Sequence, residues 1–162
     1  MATNLVDAVQ ELLEADAPVV ALLTGGVYTD TATVAGGMSH PIGPTRTPAA
    51  FETSAGGIKR LKPCALVAPN TVQRAGPGKC FAREYVRVAI YQETGFATVR
   101  AAARAVRDAL DGARVELDDG RWLLIEWEDD PTLDGEDPSL VVGDGKRPAS
   151  MCICRYSAVT GR

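Results

Sequence analysis

The stretch Glu84–Gly112 limits what this chain can fold into more than any other, because it carries both backbone periods in succession. Val86, Val88 and Ile90 alternate with Arg87 and Ala89, the period of two of a half-buried strand, and Tyr85 and Tyr91 lie on the mixed side. After a short turn, Phe96, Val99, Ala103, Val106 and Leu110 recur at spacings of three and four, while Arg100, Arg104, Arg107, Asp108 and Asp111 fall elsewhere on the helical wheel. Thr94 is placed to cap this helix, its hydroxyl taking an orphan N–H of the first turn, and Gly112 to end it in the left-handed conformation. The strand and the helix must bury their apolar faces together.

Weaker local signals surround this unit. Leu5, Ala8, Val9, Leu12 and Leu13 form a helical stripe with Thr3 or Asn4 as its cap, and Asp16 with Pro18 reads as a break and restart, Val19–Leu23 giving a second short turn that Gly25 and Gly26 end. Val27 and Tyr28 open a strand, Lys59–Ala68 returns to strand chemistry, and Gln73–Lys79 reads as a Gly-Pro turn back to the central strand. Asp118, Asp119 and Gly120 are a hairpin signal between Val115, Leu117 and the run Trp122–Trp127. Met151–Val159 alternates and is expected to close the sheet. Two segments, 29–57 and 128–148, hold neither period and are expected to be long loops that act as docking arms, mobile in a free subunit and ordered by a partner. The fold class that follows is α+β, a mostly antiparallel sheet packed against two helices with two long loops, all in a single domain, 1–162.

The chemistry is sparse. A net charge of −4 with dispersed basic residues, clustered only at Lys59, Arg60, Lys62 and at Lys146, Arg147, gives no footprint for sequence-specific nucleic acid. The N-terminal residues have neither a basic leader with an apolar core nor a bilayer-length apolar run, so a cytoplasmic protein awaiting assembly is expected. The four cysteines, Cys64, Cys80, Cys152 and Cys154, lack zinc-ligand spacing, and Cys152 with Cys154 reads as two small hydrophobes on one strand face. Gly76, Gly78 and Lys79 fail the phosphate-loop pattern, since Gln73 stands where a glycine is needed and Cys80 where a Ser or Thr is needed. Asp129, Asp130, Asp134, Glu136 and Asp137 lack the ligand order of a calcium loop and read as a solvated acidic surface. His40 has no nucleophile motif near it and reads as a surface loop residue. Trp122 and Trp127 lie an odd number of positions apart on one strand, so one is expected in the core and one at an interface. No catalytic, cofactor or metal residues are expected. The candidate interface residues are Lys59, Arg60, Lys62, Trp122, Trp127, Asp129, Asp130, Asp134, Glu136 and Asp137, the acidic set meeting a basic surface on a neighbour.

The opening helix Leu5–Leu13, the apolar turn Val19–Gly25 running into Val27 and Tyr28, the strand Tyr85–Gln92 ending in Glu93, Thr94, Gly95, and the helix Phe96–Leu110 together resemble the tail terminator (tail completion) proteins of long-tailed bacteriophages. The resemblance implies a non-enzymatic virion protein of the tail and neck, made in the host cytoplasm. It implies a hexameric ring that caps the tail tube and touches both the tube protein and the head connector. A head-tail connector or neck protein would share these features. From another class, a ferredoxin-like small-molecule binding domain fits the same order of elements and would be distinguished by a defined apolar pocket with convergent polar groups.

Overall fold

The computed structural model describes residues 2–30, 40–74, 82–128, 133–143 and 147–161. Its centre is β5 (Ala82–Gln92), in which Val86, Val88 and Ile90 are fully buried, as their alternation requires. β4 (Cys64–Arg74) lies antiparallel on one side of it and β9 (Arg147–Gly161) antiparallel on the other. A short β1 (Val27–Thr29) adds to β4 in parallel, and β6 (Arg114–Glu116) with β7 (Trp122–Trp127) forms the expected hairpin, Gly120 turning at a φ of 77°. The sheet runs β1-β4-β5-β9-β7-β6, antiparallel except at β1.

Two expectations change here. β9 does not close the sheet; it is an interior strand, long enough to pair with β5 along its length and with two further strands end to end on its other side. One of those is β7, and the other is β8 (Leu133–Val142), which occupies the segment expected to be a loop. β8 reads as a loop because Asp134, Gly135, Glu136, Asp137 and Pro138 have loop composition, yet the ladder to β9 satisfies the backbone of this polar half, and Leu140 and Val142 bury the other end. A register shift between Asp137 and Val141 accommodates Pro138, which cannot donate to the ladder.

Helices cover one face. α1 (Leu5–Ala15) is capped by Asn4, whose Oδ1 accepts from Asp7 N at 3.0 Å, and α2 (Ala17–Leu22) by Asp16, whose Oδ1 accepts from Val19 N at 2.9 Å, with Pro18 in the first turn. Three α-helices are therefore present where two were expected, because the Asp16 restart makes a helix of its own. α3 (Ala97–Leu110) follows β5, and Val99, Ala102, Ala103, Val106 and Leu110 are its buried residues, sharing one core with Val86, Val88, Ile90, Cys152, Cys154 and Tyr156. Phe96 packs half-buried at the margin of that core. Thr94 does not cap α3. The N-cap is Phe96, two residues later, and the first-turn N–H of Val99 is taken by Gln92 Oε1 at 2.9 Å, while Gln92 Nε2 donates to Thr94 O. Gly112 ends the helix at a φ of 78°.

The second face carries its own core of Ile42, Ala50, Phe51, Leu61, Cys64, Leu66, Ala89, Tyr91, Leu140, Val142 and Ala149. Much of it comes from the segment expected to be a long loop. Of that segment residues 31–39 lie outside the described residues, but from His40 onward the chain is folded onto the sheet. Thr47 closes a turn on Gly43, a 3-10 turn spans Pro48–Ala50, and β2 (Phe51–Thr53) pairs with β3 (Lys59–Leu61) in a hairpin. The segment has no period because the chain turns between each large apolar residue, so Ile42, Phe51 and Leu61 reach the sheet one at a time. The Gln73–Lys79 turn lies almost wholly outside the described residues, though β4 and β5 pair as its two arms.

At the junction of α2 and β1, Gly25 N donates to Pro63 O at 2.7 Å, and a Cβ at Gly25 would stand 2.9 Å from Pro63 O and 3.0 Å from Lys62 O. Those are backbone atoms that cannot swing aside. Gly25→Ala should cost about 1 to 3 kcal/mol, as other overpacking changes do. Chemical denaturation reads this as a lower midpoint at unchanged slope, and an unchanged midpoint would show that this contact is soft.

Candidate assembly surface

The densest polar cluster joins three parts of the chain far apart in sequence. Tyr91 stands on the second face of β5, Asp137 reaches it from β8, and His40 lies over both. His40 Nε2 is 3.2 Å from Asp137 Oδ2 and 3.3 Å from Tyr91 Oη, Tyr91 donates to Asp137 Oδ2 at 3.2 Å, and the His40 and Tyr91 rings meet edge to face. Ile42 N donates to His40 Nδ1 at 3.1 Å. Nδ1 also lies 3.2 Å from Ile42 O, and a neutral ring that accepts from Ile42 N carries its proton on Nε2, facing the carboxylate. Ser139 completes the set, donating its N–H and hydroxyl to Asp137 Oδ1 at 2.9 and 2.6 Å. His40 is thus no surface residue: its side chain is only 9% exposed.

This cluster fastens the folded 40–61 segment and β8 to the sheet. Burial works against the Asp137 charge, but the Ser139 hydrogen bonds, His40 and the Tyr91 hydroxyl overcome it and hold the carboxyl below its ordinary range. Burial, and then the neighbouring Asp137 charge, raise the Tyr91 phenol. A carboxyl with a lowered folded pKa contributes stability that is full above its unfolded pKa, about 3.9 for Asp, and is lost as pH falls through the folded value. Denaturation at a series of pH values should therefore show the stability advantage of the wild type over Asp137→Asn shrinking below about pH 4. A gap constant down to pH 2 would contradict this.

The expected interface residues divide by location. Lys59 and Arg60 are exposed on β3, Lys59 Nζ donating to Thr53 across the hairpin at 2.7 Å and Arg60 lying 3.8 Å from Glu93. Lys62 is half-buried beside Cys64, whose thiol burial pushes up to about 12 against the opposing pull of that lysine. Trp122 is 52% exposed, whereas Trp127 is half-buried against the helix-side core beneath the Arg107 guanidinium, 3.7 Å from the ring centre. Asp129 and Asp130 lie outside the described residues. Asp134 and Asp137 are engaged within the subunit, Asp134 with Arg100 at 2.7 Å, and Glu136 is exposed on β8. Asp134 and Asp137 thus meet Arg100 of α3 and His40 within their own subunit.

Sequence reasoning missed two features. The His40, Tyr91, Asp137 cluster has no local signal, since its members are separated by 51 and 46 positions. The other is a row of arginines on α3, Arg100, Arg104 and Arg107, bordering a hollow of about 250 Å³ above Cys152 and Cys154; its spacing was legible as a stripe. Cys152 and Cys154 are buried side by side on β9, as expected of small hydrophobes. A second hollow, of about 280 Å³, lies beside His40 and Asp137, and a third, of about 320 Å³, beside Arg60 and Glu93. These are open surface depressions at the small end of what ligand sites occupy.

Among the described residues no three His, Cys, Asp or Glu side chains converge to hold a metal, and no helix is long and apolar enough to cross a membrane. No curated protein matches the sequence. A family model described as tail completion protein gp17 matches residues 46–144, from the turn before β2 through β8. That is well over half of the chain, and the family's part in the virion is structural, in the tail. The chain therefore belongs to the bacteriophage tail completion (tail terminator) family.

Proposed function

We propose that this protein is one subunit of a cyclic, hexameric ring that caps the finished tail tube and joins it to the head connector, without catalytic activity and without a cofactor. Family membership supports the tail role, and one structural observation carries the assembly role. On the second face of the sheet the covering core ends partway across, and beyond it lie exposed Trp122, half-buried Leu124 and Val159, and half-buried Tyr85. Leu124 pairs with Val159 and Tyr85 with Ser157, so these side chains form one patch across β7, β9 and β5. Aromatic and aliphatic surface of this kind, rimmed here by Arg83 with Glu126 at 3.7 Å, is the composition of a protein contact.

The β2–β3 hairpin with Lys59 and Arg60, the adjoining Lys62, and β8 with Glu136, are further docking elements in this reading. Exposed charge pairs are individually worth about 0 to 1 kcal/mol, so they select partner and register rather than set affinity. Electron microscopy of particles made without the protein tests the reading. Tails that accumulate apart from heads, and that join them once purified protein is added, are the expected result. Normal joined particles in its absence would overturn it.

A further inference from the structure

The helical layer is electrically polarised from one margin of the sheet to the other. The first lysine or arginine of the chain is Arg46, so the side chains of α1, α2 and β1 contribute only acidic charges, Glu11 and Glu14 among them, with Asp16 between the two helices. Glu11 and Glu14 are exposed. Gln10 Nε2 ties this margin together, donating to Glu14 Oε1 at 2.8 Å and to Val27 O of the edge strand β1 at 3.3 Å. Across the sheet, α3 carries its arginine row beside β7 and β8, fixed there by Arg107 over Trp127 and by Arg100 on Asp134. Arg104 is exposed between them and has no hydrogen bond or ion pair among the described residues. Among the described residues the carboxylates near the row include Asp134, spent on Arg100, exposed Asp108, and Asp111, which accepts from Trp127 N at 3.1 Å. Arg100 and Arg107 are thus engaged within the subunit, and Arg104 is the member of the row left to face the hollow.

A ring built from one kind of subunit joins two different patches of the same surface, and each must complement the other. Resting on the ring reading above, we infer that subunits meet head to tail, the α1 carboxylate margin with Glu14 of one copy seating on the α3 arginine row with Arg104 of the next. The occupant of the hollow is thus a second copy of this chain. Charge opposition across the contact fixes the direction of travel round the ring, because two acidic margins or two arginine rows facing each other repel.

Charge exchange tests this. Arg104→Glu and Glu14→Arg should each weaken self-association at low salt by about tenfold or more, while the chain carrying both changes should regain wild-type association. Thermal melting of the single variants checks that each still folds. As a readout independent of charge, Glu14→Cys subunits mixed with Arg104→Cys subunits and oxidised within assembled tails should give disulfide-linked pairs that neither variant gives alone. Single variants that associate like the wild type, or a double variant that stays as weak as the singles with no cross-linked pairs, would overturn the proposed contact while leaving the ring standing. A wild type that is monomeric both in solution and in tails would overturn the ring itself and this contact with it.

Discussion

Leu110→Ala should destabilise the protein by about 2 to 4 kcal/mol, the largest loss expected from a single side chain here. Leu110 is fully buried at the last turn of α3, in the core that also contains Leu117, Leu123 and Ile125 of the following hairpin. Collapse around the missing atoms is restricted because the backbone is pinned on both sides of the helix end: Gly112 N donates to Ile125 O at 2.9 Å and Ala113 N to Leu110 O at 3.0 Å. The lost transfer free energy and the residual cavity therefore both count. At roughly 2 to 4 °C per kcal/mol for a chain of this size, the melting temperature should fall by about 5 to 15 °C. Val106→Ala, one turn earlier in the same buried stripe, should act in the same direction with a smaller loss, since fewer methyl groups are removed. Unchanged melting in both variants would show that α3 packs on the sheet by another face.

Asp137→Ala should produce the second large effect, and a local one. Its carboxylate accepts hydrogen bonds from Ser139 and Tyr91 and lies 3.2 Å from His40 Nε2, so its removal leaves the Tyr91 hydroxyl without its acceptor and the His40 ring without the charge it faces, in a mostly buried site. Leaving a buried donor unsatisfied costs about 1 to 3 kcal/mol. Because these bonds attach the 40–61 segment, amide exchange should quicken around Ile42 and Phe51 more than in α3 or β5. His40→Ala combined with Asp137→Ala should cost less than the sum of the two, the signature of a shared interaction. Additive losses, or exchange that quickens evenly over the whole fold, would show that the cluster does not act as a fastening.

What could be read from the residues alone followed the range of the interactions. The β5–α3 unit, the caps at Asn4 and Asp16, and the Asp119-Gly120 hairpin are local arrangements, and each stands where its spacing placed it. The split of the tryptophans, Trp122 outward and Trp127 inward, follows from strand alternation. The misses are non-local. β8 is a strand because β9 offers it a ladder, which nothing in the polar run Asp134–Pro138 announces. Thr94 failed as a cap because the turn is two residues longer than its hydroxyl can bridge, and Gln92 reached across instead. His40 looked like a loop residue because Tyr91 and Asp137 come to it only once the sheet has formed.

The central claim, that this tail completion protein works as a ring of identical subunits, is tested most directly by counting copies. Tails are purified, the protein at the head-proximal end is located by imaging, and its mass is measured after release under non-denaturing conditions. A closed ring of uniform subunit number at the tube end, with a released species at that fixed multiple of the 17.1 kDa chain, is the result predicted here. A single copy per tail, or no copy at the tube end, would contradict it.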